Sequence, residues 1–136
     1  MNYLIDTNLV SELRRRHRGN PGVMRWAGSI QLPDLYTSVL VLGEIRRGIE
    51  RKRRSDPERA SVLDRWLAGV RADLAGRILP VDERVAELWG HLGTPVSIPA
   101  IDGLIAATAI VHGLTLVTRN VKDMERTGAR LLNPFS

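Results

Sequence analysis

The sequence has no cysteine and few aromatics: among its 136 residues, Phe, Trp and Tyr amount to 4%. Without cysteine there is no disulfide scaffold, no Cys-ligated zinc, no Fe–S cluster and no thiol catalysis. A reducing cytoplasm is the natural setting. So few aromatics argue against single-strand binding on a broad base-stacking platform. Lysine is also scarce: of the 20 Lys and Arg residues, only Lys52 and Lys122 are lysines. Long apolar runs are missing too. The longest, around residues 104–111, falls short of the roughly 20 residues a membrane helix needs. Nothing at the amino terminus resembles a basic leader, and Asp6 interrupts the first apolar run. The expectation is a cytoplasmic protein with no membrane partner.

What is present is 43% hydrophobic residues and a formal net charge of +5. That suits one domain spanning 1–136, since domains commonly run to about 100–150 residues. Arginine is the planar, bidentate phosphate binder, which raises nucleic acid as a partner. A GC-rich genome gives the same excess of Arg over Lys.

The apolar pattern predicts a strand at 3–5 and then a helix through Leu9, Val10 and Leu13 capped by Thr7 or Asn8. A turn follows at 19–22, then a short helix carrying Val23, Trp26 and Ile30. A second strand is expected at 35–38. A helix from Val39 ends in the basic run 51–54, and another begins near Pro57 and ends at Gly76. Residues 78–81 read as a strand, a helix starts at Glu83, and 93–99 read as a loop. A buried helix is expected at 100–111, closed by His112 and Gly113. A strand at 114–118, a short polar helix at 122–126 and a terminal strand at 130–133 complete the chain. Strands alternating with helices predict an α/β fold with a mainly parallel sheet flanked by helices.

In such sheets the site lies beyond the carboxyl ends of the strands. Asp6 follows the first strand, and Thr118, Arg119 and Asn120 follow the strand at 114–118. Glu44 and Asp102 sit in otherwise apolar segments. Burying an ionised carboxylate is costly unless it is paired or bound to a cation. Singly, each acid could cap a helix or pair with an arginine. Together, Asp6, Glu44 and Asp102 fall where one crevice could collect them, and a divalent cation would cancel their mutual repulsion. Hard oxygen donors fit Mg²⁺ or Mn²⁺. Such an ion suits phosphodiester hydrolysis, with arginines holding the substrate backbone.

Leu4-Ile5-Asp6-Thr7-Asn8, with Ser11-Glu12 close behind, resembles the opening of PIN-domain nucleases. Three further segments match in order: the strand end Thr37-Ser38-Val39 leading to Leu42-Gly43-Glu44-Ile45-Arg46-Arg47-Gly48, then Asp102-Gly103-Leu104-Ile105-Ala106-Ala107-Thr108-Ala109, then Leu116-Val117-Thr118-Arg119-Asn120. Leu132-Asn133-Pro134 also fits. The resemblance covers nearly the whole chain and is closest to VapC-type toxins, including the FitB-like branch. It implies a PIN-like three-layer fold and a Mg²⁺-dependent (or Mn²⁺-dependent) endoribonuclease that inhibits translation. A metal-activated water would be the nucleophile, leaving a 5′-phosphate and a 3′-hydroxyl. By position, Asp6, Glu44 and Asp102 become the metal-binding acids, with Thr7 and Thr118 in support. The family often has a fourth acid just after the Thr-Arg pair. Asn120 stands there instead, with Asp123 three residues on, so either can fill the fourth place. The implied partners are RNA, a cognate antitoxin, operator DNA reached only through that antitoxin, and a second copy in a homodimer.

Two basic runs, 14–18 and 46–54, hold half of the 20 cations. Arg14, Arg15, Arg46 and Arg47 are the candidates for contact with RNA or antitoxin; a solvated face is the alternative. His17, His91 and His112 show no ligand spacing. Trp26, Trp66 and Trp89 fall at helix-core positions, and the alanines at 100, 106, 107 and 109 suggest close helix packing. A second reading is a weakly catalytic protein that acts with its antitoxin as a DNA-binding repressor. A third, an aspartyl-phosphate hydrolase built on Asp6, lacks the second acid two residues on, where Asn8 stands.

Overall fold

A computed structural model describes residues 1–92 and 98–136. The strands are β1 (Tyr3–Ile5), β2 (Leu35–Ser38), β3 (Ile78–Leu79), β4 (Thr115–Val117) and β5 (Leu131–Leu132). The helices are α1 (Thr7–Arg14), α2 (Pro21–Gly28), α3 (Val39–Ser55), α4 (Pro57–Asp73), α5 (Glu83–Leu92), α6 (Ala100–Val111) and α7 (Val121–Met124). The expected α/β class is borne out. All five strands lie in one parallel sheet ordered β3-β2-β1-β4-β5.

Register follows burial. Leu4 lies between Tyr36 of β2 and Leu116 of β4, and Ile5 lies opposite Val117. Leu4, Leu116 and Val117 are fully buried, as expected of central parallel strands covered on both faces. Val41, Ile45 and Ile49 turn one stripe of α3 into this core. Trp26 and Trp66 pack against it. Ala106, Ala107 and Ala109 of α6 are fully buried, so the small-residue helix packs closely.

The sheet order places the site. The chain winds from β1 to β2 to β3, then returns across β1 to form β4 and β5 on its other side. The reversal falls between β1 and β4, where the carboxyl ends of oppositely wound strands open a crevice. Asp6 leaves β1 there, and its backbone N–H donates to Val117 of β4 at 3.3 Å.

Several details depart from the sequence pattern. Asp6, rather than Thr7 or Asn8, caps α1 by accepting the Leu9 N–H at 3.1 Å. Pro21 and Gly22 belong to α2, capped by Asn20, and Ile30 lies beyond its end. Trp89 is 39% exposed rather than core, although the edge of its ring lies where a Cβ on Gly103 would come within 3.0 Å. Most of the loop expected at 93–99 lies outside the described residues. No described helix is long and apolar enough to cross a membrane.

Candidate active site

A cavity of about 180 Å³ opens at the β1/β4 crevice. Asp6, Thr7, Asn8, Glu44, Asp102, Ile105, Thr118, Asn120 and Met124 line it. The polar residues arrive by four routes. Asp6 ends β1 and caps α1. Glu44 projects from the second turn of α3, whose first turn is fixed by Ser38 accepting the Leu40 N–H at 3.0 Å. Asp102 sits in the first turn of α6, where the helix dipole favours an anion. Thr118 and Asn120 follow β4, with the Asn120 N–H donating to Thr118 Oγ1 at 3.0 Å.

Hydroxyls set the acids. Thr7 Oγ1 donates to Glu44 Oε1 at 2.5 Å. Burial lifts the Asp6 carboxyl above its ordinary range, against the Thr118 hydroxyl and the Leu9 and Asn8 amides, while Asp102 adds repulsion. Asp102 is lifted as well, by burial and then by the charges of Glu44 and Asp123. The acids therefore repel one another across a partly desolvated space.

The structure thus gathers Asp6, Glu44, Asp102, Thr7, Thr118 and Asn120. It leaves Asp123 exposed and outside the lining, acting on Asp102 only through its charge. Among the described residues no three His, Asp or Glu side chains already stand close enough to form a ready cation cluster. The donor set still fits a hard divalent ion: three carboxylates and the side-chain amides of Asn8 and Asn120 border the cavity, and burial raises two of the acids, which a bound cation would offset. The pattern had not singled out Asn8, Ile105 or Met124. Asn8 and Ile105 fall within the matching segments without a role of their own, and Met124 lies in the stretch expected as a short polar helix.

The arginines divide. Arg46 donates to Asp64 at 2.7 Å and Glu50 at 3.2 Å, and Arg53 joins the same pair of acids, clipping α3 to α4. Arg47 is exposed and has no carboxylate partner among the described residues. Arg15 lies 3.7 Å from Glu12, whose other role is to accept the Asn20 N–H at 2.6 Å. Arg14 stacks 5.8 Å over Trp66 at a larger, mainly apolar cavity of about 360 Å³ between α1 and α4. That cavity brings together no set of carboxylates.

The PIN-domain family model matches residues 3–129. The chain belongs to the PIN-domain family. Toxin FitB of Neisseria gonorrhoeae is 34% identical, the match covering 97% of both chains. The VapC ribonuclease Y4jK of Sinorhizobium fredii is 30% identical over 97% of this chain and 96% of its own. Among solved structures, FitAcB from Neisseria gonorrhoeae superposes with a TM-score of 0.87 at 34% identity, covering 97% of each chain. FitAB bound to an IR36 DNA fragment gives 0.85 at 31% identity, over 98% of this chain and 96% of that one. In this PIN domain the family's fold carries its acids at the sheet's switch point.

Proposed function

We propose that this PIN domain is the toxin of a toxin–antitoxin pair and a divalent-metal-dependent endoribonuclease. The observation that carries the reading is the convergence of Asp6, Glu44, Asp102 and Asn120 on one cavity within a basic protein. Relatives named as toxins and as VapC ribonucleases support the same reading.

Asp6, Glu44 and Asp102 would hold Mg²⁺ or Mn²⁺, with the Asn120 amide oxygen as a fourth donor. Asn120 is favoured over Asp123 because only Asn120 borders the cavity. A bound divalent ion polarises a phosphoryl oxygen and makes water a competent nucleophile near neutral pH. The chain's own residues do the positioning. Thr7 fixes one oxygen of Glu44 and leaves the other free. Thr118, whose oxygen already accepts from Asn120, directs its own proton to Asp6. Arg47, one turn beyond Glu44, supplies a free cation for the RNA backbone. Arg14 lines the apolar groove of α1 and α4, which suits an antitoxin segment; Arg15 is not part of that lining.

Incubating purified, antitoxin-free protein with RNA and Mg²⁺ or Mn²⁺ tests the reading. Cleavage should require the ion and fall at least ~100-fold in Asp6→Asn and Asp102→Asn. Undiminished cleavage by either variant refutes the site. The similarity to a FitAB complex on DNA favours a second role as part of an antitoxin-borne operator complex. A mobility shift on promoter DNA that needs both proteins would support it.

A further inference from the structure

Arg119 lies between Thr118 and Asn120, both of which line the acidic cavity, but its own side chain turns away from the lining. It is exposed and has no carboxylate partner among the described residues. An unrestrained arginine this close to three carboxylates would be drawn into the cavity and neutralise it. Arg119 is held elsewhere: its guanidinium stacks 4.9 Å over the ring of Phe135. Stacking occupies a face of the guanidinium and leaves the in-plane N–H donors free for a bidentate acceptor.

The brace has its own foundation. Phe135 packs partly buried against the core, and its N–H donates to Asn133 Oδ1 at 3.0 Å. The next residue, Ser136, is strapped to the start of α2. Its N–H donates to Asn20 Oδ1 at 3.0 Å, its carbonyl accepts from Asn20 Nδ2 at 3.0 Å, and its Oγ accepts the Gly22 N–H at 3.1 Å. The strap fits because position 22 is glycine; a Cβ there would collide with the Pro134 carbonyl oxygen.

We propose that Arg119, braced by Phe135, binds a backbone phosphate of the RNA strand beside the acidic cavity. This rests on the endoribonuclease reading and adds a substrate-positioning residue to it. The division of labour is physical: the acids suit a cation and repel phosphate, so an anchoring cation must stand next to them without entering.

The test is fluorescence anisotropy with a short fluorescein-labelled oligouridine in EDTA, so that no turnover intervenes, across a series of salt concentrations. Arg119→Ala should weaken binding roughly threefold to tenfold and lower the slope of log affinity against log salt by about 0.7. Arg119→Lys should keep the slope while recovering only part of the affinity. Phe135→Leu and Gly22→Ala keep every charge but release the brace on Arg119, so they should weaken binding and lower the slope, each by no more than Arg119→Ala does. Arg71→Ala is the control, on the exposed side of α4 toward the far end of the sheet. The proposal is overturned if Arg119→Ala binds as the parent does, or if Arg71→Ala loses as much. If the parent cleaves RNA with Mn²⁺ while Arg119→Ala binds normally, the phosphate assignment alone falls. If the parent neither binds nor cleaves, the endoribonuclease reading falls and takes this one with it.

Discussion

Thr7 and Glu44 are 37 residues apart in sequence, yet the threonine hydroxyl donates to the glutamate at 2.5 Å. The bond ties the start of α1 to the second turn of α3 across the mouth of the acidic cavity. A glutamate has three rotatable bonds, so without an anchor its carboxylate samples many positions, only some of which face Asp6 and Asp102.

Thr7→Val keeps the side-chain shape and removes the donor. Glu44 then orders at the moment an ion binds, so affinity for Mn²⁺ falls roughly tenfold, in line with losing one hydrogen bond to a charged group. Thr7→Ser restores it. Titration calorimetry reads the affinity directly, and cleavage assays should follow. Equal Mn²⁺ affinity in Thr7→Val and the parent would remove Thr7 from any positioning role.

The core offers a simpler measurement. Leu116 is fully buried in β4 and pairs across the sheet with Leu4 and Leu131. Leu116→Ala leaves a cavity against the face of the central strands, inside the buried core. It should cost about 3 kcal/mol in urea unfolding. A loss below ~1 kcal/mol would mean the sheet relaxes around the site.

Much of this architecture was legible in the sequence, for local reasons. The helix at 100–111 stood out because it is apolar nearly all round, and its observed bounds, Ala100–Val111, are the expected ones. The acids stood out because each interrupts an apolar segment. What was not legible depends on residues distant in sequence. Asp6 was read as a site acid, but it also caps α1, which no local pattern distinguishes from a cap at Thr7. Arg46 read as a free cation in a basic run; the antiparallel turn into α4 brings Asp64 against it. Trp89 fits a helix-core period, yet the neighbouring α6 covers only part of its ring.

Backbone strain was equally hidden. Arg16 follows α1 with φ at 53°, in the left-handed region that a Cβ disfavours. Arg16→Gly should therefore stabilise the protein by roughly 0.5 kcal/mol, the relief of strain exceeding the extra entropy of glycine in the unfolded chain. Chemical denaturation of the pair checks the sign. A destabilised Arg16→Gly would mean the side chain contributes more at the edge of the α1/α4 groove than the strain costs.

The acids make the ion-free protein's stability depend on pH. Burial, with Glu44 and Asp123, raises the Asp102 carboxyl, so this group holds its proton more tightly folded than unfolded. Stability then declines as pH rises from the ordinary carboxylate range through the raised value, and stays reduced above it. Asp102→Asn removes that burden. Without divalent ions the variant should melt a few degrees above the parent at pH 7, and the gain should vanish below about pH 4. Asp6→Asn should behave alike but gain less: an Asn amide oxygen can still cap α1, while the Thr118 bond to a charged acceptor is weakened. Millimolar Mn²⁺ should reverse the order, because an ion that binds only the folded parent stabilises it by mass action. Thermal melts at both pH values, with and without Mn²⁺, decide the matter. A gain for Asp102→Asn that persists at acid pH would show that repulsion among these carboxylates is not its source.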